Sequence, residues 1–471
     1  MRMFKMAHRT NVLTRLAVSL FLSVLVVATT AAGKTVYVDA DATGANDGSS
    51  WADAYNYLQD AFADARSAAM PVEIRVAEGV YTPDCNSAEP NGTGSRKASF
   101  WIVNKTSLKG GYAGAGTPDP NARNIELYET ILSGDLNGDD GPDFANNGEN
   151  SYHVVTGGNN RRETTVIDGF TITGGYANGS GWDDSRGGGI MFSLDCGFRI
   201  TNCTVIGNKA ENSGGGMYSV GDGGCGSTII NCRFISNASC WRGGAFCLSA
   251  ESIPHIINCI ISRNEAVTGG AIYVIEGYPR IINCTISRNH ALDQCGGVTV
   301  FEGSLHLTNC ILWANFDSGY HYEPAQIQVH HVTVNYSCVQ GWTGDLGGTG
   351  NIGANPRFAE PDFWVGNDYH LKSQAGRWDP NSRTWIQDDV TSPCIDAGDM
   401  GSPIGYEPFP NGGIINMGAY GGTAEASKSY FGEPVCKTIV AGDINGDCRV
   451  DFRDFAIMTL HWLQDNSGEP R

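Results

Sequence analysis

The residues best suited to chemistry fall into a register. A Gly-Gly pair recurs at Gly215-Gly216, Gly243-Gly244, Gly269-Gly270 and Gly296-Gly297. Aligned on this pair, a carboxylate stands near the end of each following segment: Asp195, Asp222, Glu251, Glu276 and Glu302. Four of these have a basic or titratable residue four positions later, namely Arg199, His255, Arg280 and His306. Two readings fit. Stacked like charges repel, a nearby cation relieves the repulsion, and such exposed pairs contribute only ~0–1 kcal/mol each. Alternatively the ladder is a working face. In-register residues of a parallel sheet lie about 4.8 Å apart on adjacent strands and about 10 Å apart on alternate ones. Paired carboxylates at roughly 5–9.5 Å are what glycoside hydrolysis uses, which makes Glu251, Glu276 and Glu302 candidate catalytic residues.

A second constellation is built from oxygen. Asp443, Asn445, Asp447, Asp451 and Asp454 occupy positions 1, 3, 5, 9 and 12 of a short loop, with Arg449 at position 7. Ca²⁺ takes six to eight oxygens from such a loop, including a main-chain carbonyl at the seventh place, which Arg449 would supply. Phe452–Leu463 follows with helical spacing of Phe452, Phe455, Ala456, Thr459, Leu460 and Leu463. Cys448 stands at position 6, where Gly usually makes the turn, and Cys436 lies twelve residues upstream, within reach of a clamping disulfide. Asp135, Asn137 and Asp139 open a similar run, with Asp140 and Asn146 at positions 6 and 12, and form a second candidate Ca²⁺ site or a polar insertion loop.

The elements that position these residues follow from a repeat. Asn-Cys recurs at Asn202-Cys203, Asn231-Cys232, Asn258-Cys259, Asn283-Cys284 and Asn309-Cys310, at steps of 29, 27, 25 and 26 residues. Another Asn follows each Cys by five: Asn208, Asn237, Asn264, Asn289 and Asn315. Periods of this size mean stacked supersecondary units. β-Branched runs such as Ile256-Ile257, without helical periodicity, make the unit a coil of short strands. The expected fold is all-β, a right-handed parallel β-helix with an N-terminal capping helix and a small C-terminal calcium-loop and helix module. The cap is expected over Ala52–Ser67, where Ala54, Leu58, Ala61, Phe62 and Ala65 recur at helical spacing. Asp168-Gly169-Phe170 is expected to take the place of Asn202-Cys203-Thr204 in the coil that opens the regular repeats. The in-register cysteines, with Cys338 continuing them, read as a buried ladder of small side chains. Cys196, Cys225, Cys240 and Cys295 lie off that register and are the better disulfide candidates. Phe192, Tyr218, Phe246 and Tyr273 are core residues if they point inward and sugar-stacking residues if outward.

Composition bounds the partners. Fifty acidic against 31 basic residues give a formal charge of −19. Residues 1–33 resemble a secretory signal, with Arg2, Lys5, Arg9 and Arg15 before the apolar run Leu16–Ala28; an uncleaved anchor is the alternative. Its removal leaves 27 basic against 50 acidic residues, a charge of −23. Such a chain repels nucleic acid and anionic membrane surfaces. No other segment is long and apolar enough to span a membrane. A monomer is expected, with export making disulfides chemically available.

Gly110-Gly111-Tyr112, Leu132-Ser133-Gly134-Asp135 and the repeats together resemble secreted bacterial β-helix proteins of the pectin-lyase-like superfamily. The resemblance implies polysaccharide as substrate, and for a polyuronate lyase it makes Arg280 the candidate base. The loop and helix at the end resemble half of a type I dockerin repeat, which implies a cohesin-like or surface-sorting partner; a full dockerin has two loops, and this tail has one. The expected layout is a signal peptide (1–33), the cap and first coils (34–160), the regular repeats (161–345), terminal coils or an anchor-like block (346–426), a linker (427–440) and the calcium-loop tail (441–471). The expected function is a secreted or surface-attached protein that binds or cleaves extracellular polysaccharide. The alternative is a non-catalytic adhesion protein in which the β-helix is a rigid spacer. No complete lyase or hydrolase motif is present.

Overall fold

The computed structural model describes residues 33–68, 71–158, 165–193, 197–221, 226–318, 321–329, 331–360, 368–432, 442–444 and 449–460. The signal-like segment therefore lies outside the described residues, apart from Gly33. So do Asp195, Asp222, Cys196, Cys225, Cys436, Asn445, Asp447 and Cys448.

The chain winds as a parallel solenoid. One coil runs through strands Ile190–Ser193, Phe198–Thr201, Thr204–Ile206 and Lys209–Ala210 before Met217–Val220 begins the next. Stacking gives three long parallel sheets and a narrow one. The first sheet runs from Lys34–Val38 to Val332–Asn335, the second from Gly79–Tyr81 to Cys338–Val339, and the third from Phe100–Trp101 to Ile327–Gln328. Alternation along each strand sends one set of side chains inward. In the first sheet Ile167, Ile200, Ile229, Ile256, Ile281 and Leu307 align in register, all fully buried. Each such side chain is worth ~1.5–3 kcal/mol on burial.

Asparagine makes the corner between the first and second sheets. Asn202, Asn231, Asn258, Asn283 and Asn309 all have φ between 49° and 55°, a left-handed conformation that Asn tolerates better than most residues. The cysteine after each is buried, and burial pushes the Cys232 and Cys284 thiols up. The second Asn of each unit forms an internal ladder. Asn237 Oδ1 accepts from both the main-chain N–H and the Nδ2 of Asn208, each at 3.1 Å. Asn264, Asn289 and Asn315 repeat the pattern, and Gln326 closes it, its Oε1 accepting from Asn315 Nδ2 at 2.7 Å.

Three expectations need correction. The place of Asn202-Cys203-Thr204 is taken by Gly169-Phe170-Thr171, one residue later than expected, because the left-handed corner falls on Gly169 (φ 81°) and Thr171 pairs with Thr204. The capping helix covers Leu58–Ser67 only. Tyr55 instead exchanges main-chain hydrogen bonds with Tyr37 and Asp39, and these hold it extended. Cys240 and Cys295 are free thiols; Cys295 is buried and its Sγ contacts the Val298 and Ala325 carbonyls. After Cys338 the block expected as terminal coils or an anchor-like block makes one more parallel bridge, from Cys338 to Ile352. It folds back over the second sheet, where Tyr369, Leu371, Cys394 and Met417 cover the outward Ile260 and Ile311. Asn258 Nδ2 fastens it by donating to the carbonyls of Ala419 (3.0 Å) and Gly421 (2.7 Å).

Candidate functional site

The structure separates the residues that the sequence grouped. Glu251, Glu276 and Glu302 sit at the turn leaving the third sheet, all exposed. Glu251 and Glu276 have φ of 58° and 55°, and the Glu251 main-chain N–H donates to the Glu276 carbonyl. Their backbones stack, but no ion pair joins Glu251 to His255, Glu276 to Arg280 or Glu302 to His306 among the described residues. The bases stack on one another instead. His255, Arg280 and His306 are in register on the outer face of the first sheet. Two parallel columns, one acidic and one basic, run along the corner.

The four aromatics singled out in the sequence divide by alternation. Phe192 and Phe246 point into the core, whereas Tyr218 and Tyr273 lie on the outer face of the third sheet. There Met191, Tyr218, Cys247 and Tyr273 share one register, and all are at most 5% exposed. Trp and Arg side chains from the preceding turns flank this column. The Arg186 guanidinium lies 4.4 Å from the Trp182 ring centroid and 5.8 Å from that of Tyr218. Arg242 repeats this at 4.3 Å from Trp241 and 5.1 Å from Tyr273. Main-chain bridges run from Arg186 to Ser213 and from Ser213 to Arg242. The two clusters are therefore two coils apart, about 10 Å. Trp182 is 56% exposed and Trp241 49%. Neither arginine pairs with a carboxylate among the described residues. Sequence reasoning missed these residues because Trp-to-Arg spacing differs between the clusters; the usable signal was an Arg directly before a Gly-Gly pair, at Arg186 and Arg242.

A groove opens on the second sheet, between the loop carrying Glu126 and the folded-back block. Its main cavity is about 530 Å³, lined by Glu126, Arg233, Glu360, Asp368, His370, Trp378, Arg383, Tyr420 and Glu425 among others. Two clefts of about 350 Å³ share Glu126 and Arg233 with it and run along Asn202 and Asn231. His370 is 1% exposed. Its Nδ1 is 2.5 Å from Asp368 Oδ1, its Nε2 is 3.4 Å from Glu425 Oε2, and its ring stacks on Tyr420 with centroids 3.5 Å apart. Burial alone would lower the imidazole pKa, but the two carboxylates more than offset it and raise the value. Arg377 holds Asp368 from behind at 3.2 Å. Arg233 lies on the groove floor with its Nε buried and without an acceptor. The spacing Asp368-x-His370 was visible in the sequence, but nothing there showed that Glu425 and Arg233 would meet it.

Residues 153–334 match the family described as the right-handed β-helix region. The chain is a right-handed parallel β-helix. Its coil has three long sheets and an Asn corner. Residues 305–398, which include Asp368, His370 and Arg383 of the groove, match the family described as disaggregatase related. No curated protein matches the chain. Among solved structures the β-helix is similar to pectate lyase Pel9A, at 14% identity over 83% of this chain and 97% of that one, with a TM-score of 0.38. It is also similar to a rhamnogalacturonan lyase, at 13% identity over 77% and 96%, with a TM-score of 0.35. At these values neither likeness carries an argument about chemistry.

In the tail, Asp443 and Asp454 are 3% and 2% exposed. Asp454 closes the loop by accepting from the main-chain N–H of Ile444 and of Asp451, both at 2.7 Å. Arg449 and Asp451 are exposed, and Phe452–Leu460 is helical.

Proposed function

We propose that this β-helix is exported and binds acidic polysaccharide along the outer face of its third sheet. The observation that carries the reading is the repeated Trp–Arg–Tyr cluster at Trp182, Arg186 and Tyr218 and again at Trp241, Arg242 and Tyr273. Exposed indole faces stack on sugar rings, and a guanidinium without a carboxylate partner attracts an anionic substituent. The two clusters repeat along the solenoid axis, so an extended chain meets both. In a protein of net charge −19, two such cations on one face localise the attraction there.

Cleavage belongs, on this reading, to the groove and not to Glu251, Glu276, Arg280 and Glu302, which stand exposed and without paired charges among the described residues. In the groove Glu126, Glu360 and Glu425 line a cavity with His370 and Arg233. The tail supplies docking: a Ca²⁺ loop from Asp443 to Asp454, followed by a helix whose Phe452 and Phe455 are 89% and 52% exposed. Those rings suit a cohesin-like or surface-sorting partner.

The test uses purified residues 34–471 with Ca²⁺ and a panel of polyuronates, sulfated glycans and neutral glycans, following binding, new reducing ends and ultraviolet absorbance. Binding to acidic glycans supports the reading. Reducing ends that vanish in Glu425→Gln place cleavage in the groove, and accompanying absorbance marks a lyase. Failure to bind any glycan removes the proposal and leaves the rigid-spacer reading, which the exposed, unpaired acidic column favours.

A further inference from the structure

The loop between Ser133 and Val155 gathers three carboxylates, of which Asp135 accepts from the main-chain N–H groups of Gly138 (2.7 Å), Asp139 (3.3 Å) and Asp140 (3.1 Å). Asp135, Asp140 and Glu149 each offer a carboxylate oxygen within 4.8 Å of the others. Asp139, expected from sequence to be a ligand, is outside this group and exposed, and Glu149 takes its place because the chain returns to Asp135 at the loop's end. That return is closed by the Ser151 N–H on the Gly134 carbonyl at 2.8 Å.

The residues beside the group carry the second observation. Asn150 is 1% exposed, and its Nδ2 donates to Asp140 Oδ2 at 2.7 Å, which sets its amide against the carboxylates. Its Oδ1 is buried and receives no hydrogen. Glu149 Oε1 is likewise buried without a donor, and Ser151, fully buried, has an unpartnered Oγ. Buried polar atoms are nearly always satisfied, and orphans call for a missing partner. Asn147 Nδ2 in the same loop is a fourth unpartnered atom, a donor, while Glu149 Oε1 and Asn150 Oδ1 are acceptors only, beside three carboxylates. A cation answers the two acceptors, Glu149 Oε1 and Asn150 Oδ1, together. The pKa values of Asp140 and Glu149 are raised, by burial first and then by the neighbouring carboxylates, as expected of acids crowded without a counter-charge.

We propose that this loop binds one Ca²⁺ through Asp135, Asp140 and Glu149, with the Asn150 amide oxygen completing the protein ligands. The donors are all hard oxygens, which select Ca²⁺ over transition metals, and the irregular loop suits its flexible coordination better than the strict octahedron of Mg²⁺. The ion fastens three segments. Arg96 Nε donates to the Asn150 carbonyl at 2.7 Å, and Arg96 Nη2 reaches Asn178 Oδ1 at 2.5 Å. The site thus ties the insertion before the third sheet's first strand to the loop and to the first regular coil.

Residues 34–471 are stripped with chelator and titrated calorimetrically with Ca²⁺, alongside Asp140→Asn with Glu149→Gln and, separately, Asp454→Asn to identify any heat from the tail. The expected result is two binding events, one that the double substitution weakens at least tenfold and that Asp454→Asn leaves in place, and one from the tail that Asp454→Asn removes. An unchanged titration in the double variant overturns the site. Should that variant fail to fold, cleavage of the parent at Glu149 by a glutamate-specific protease decides. Protection by Ca²⁺ supports the site, and cleavage equal with Ca²⁺ and with chelator overturns it.

Discussion

Arg383 Nη2 meets Glu126 Oε2 at 3.2 Å, joining side chains 257 residues apart across the groove. Both are well exposed, at 65% and 69% of their side-chain surface. Exposed pairs of this kind contribute ~0–1 kcal/mol. Arg383→Ala is therefore expected to shift the calorimetric melting temperature by no more than about 2 °C. A drop of more than about 5 °C would mean that the block depends on this pair and not on its apolar seat over Ile260 and Ile311.

The internal Asn ladder should be far less tolerant. Asn264 is fully buried, accepts from Asn237 Nδ2 at 3.0 Å and donates to the Phe234 carbonyl at 2.9 Å and to Asn289 Oδ1 at 2.9 Å. Asn264→Ala leaves several of these groups buried without partners, each costing about 1–3 kcal/mol. We expect a loss on the order of 3 kcal/mol in denaturant unfolding. A loss below about 1 kcal/mol would show that the ladder is replaced by water at little expense.

Glu407 gives a pH dependence with a definite sign. It is 6% exposed; Oε1 accepts from the main-chain N–H groups of Asn416 and Gly422, both at 2.8 Å, and Oε2 is unpartnered. Burial raises its pKa from 4.5 to about 8. The folded state then holds the proton more tightly than the unfolded state, so this group's contribution is full below pH 4.5 and falls away as the pH rises through 8. Glu407→Gln removes the titration. The variant should gain on the order of 2 kcal/mol over the parent between pH 5 and pH 9 in paired unfolding curves. Parallel curves across that range would contradict the assignment.

The repeat made the fold legible before the structure did, and for a physical reason. A solenoid writes its geometry locally: each Asn corner, each buried Cys and each inward Ile recurs once per coil, so position in the period gives position in space. Its limits are equally local. The corner at Gly169 was misplaced by one residue because Gly and Asn both adopt the left-handed conformation there. The groove was illegible, because His370 and Glu425 line one cavity with Arg233 only after the terminal block folds back on the second sheet, an approach of distant segments that no period encodes. The Trp182 and Trp241 clusters sit in turns of unequal length, and the aromatic residue moves relative to the register while the arginine stays. Glu251, Glu276 and Glu302 follow one another at the same turn, and His255, Arg280 and His306 share a register, but the pairing that sequence spacing suggested is absent between Glu276 and Arg280 among the described residues.

The central claim is that the third sheet's outer face is the polysaccharide track. The most direct measurement is calorimetric titration of an acidic oligosaccharide into residues 34–471 and into the Trp182→Ala, Trp241→Ala double variant. Loss of two stacked rings should weaken binding at least tenfold, since aromatic contacts are worth ~0.5–1.5 kcal/mol each beyond their burial, while the melting temperature stays close to the parent's. Equal affinity in the two proteins would contradict the claim and remove the strip from the function.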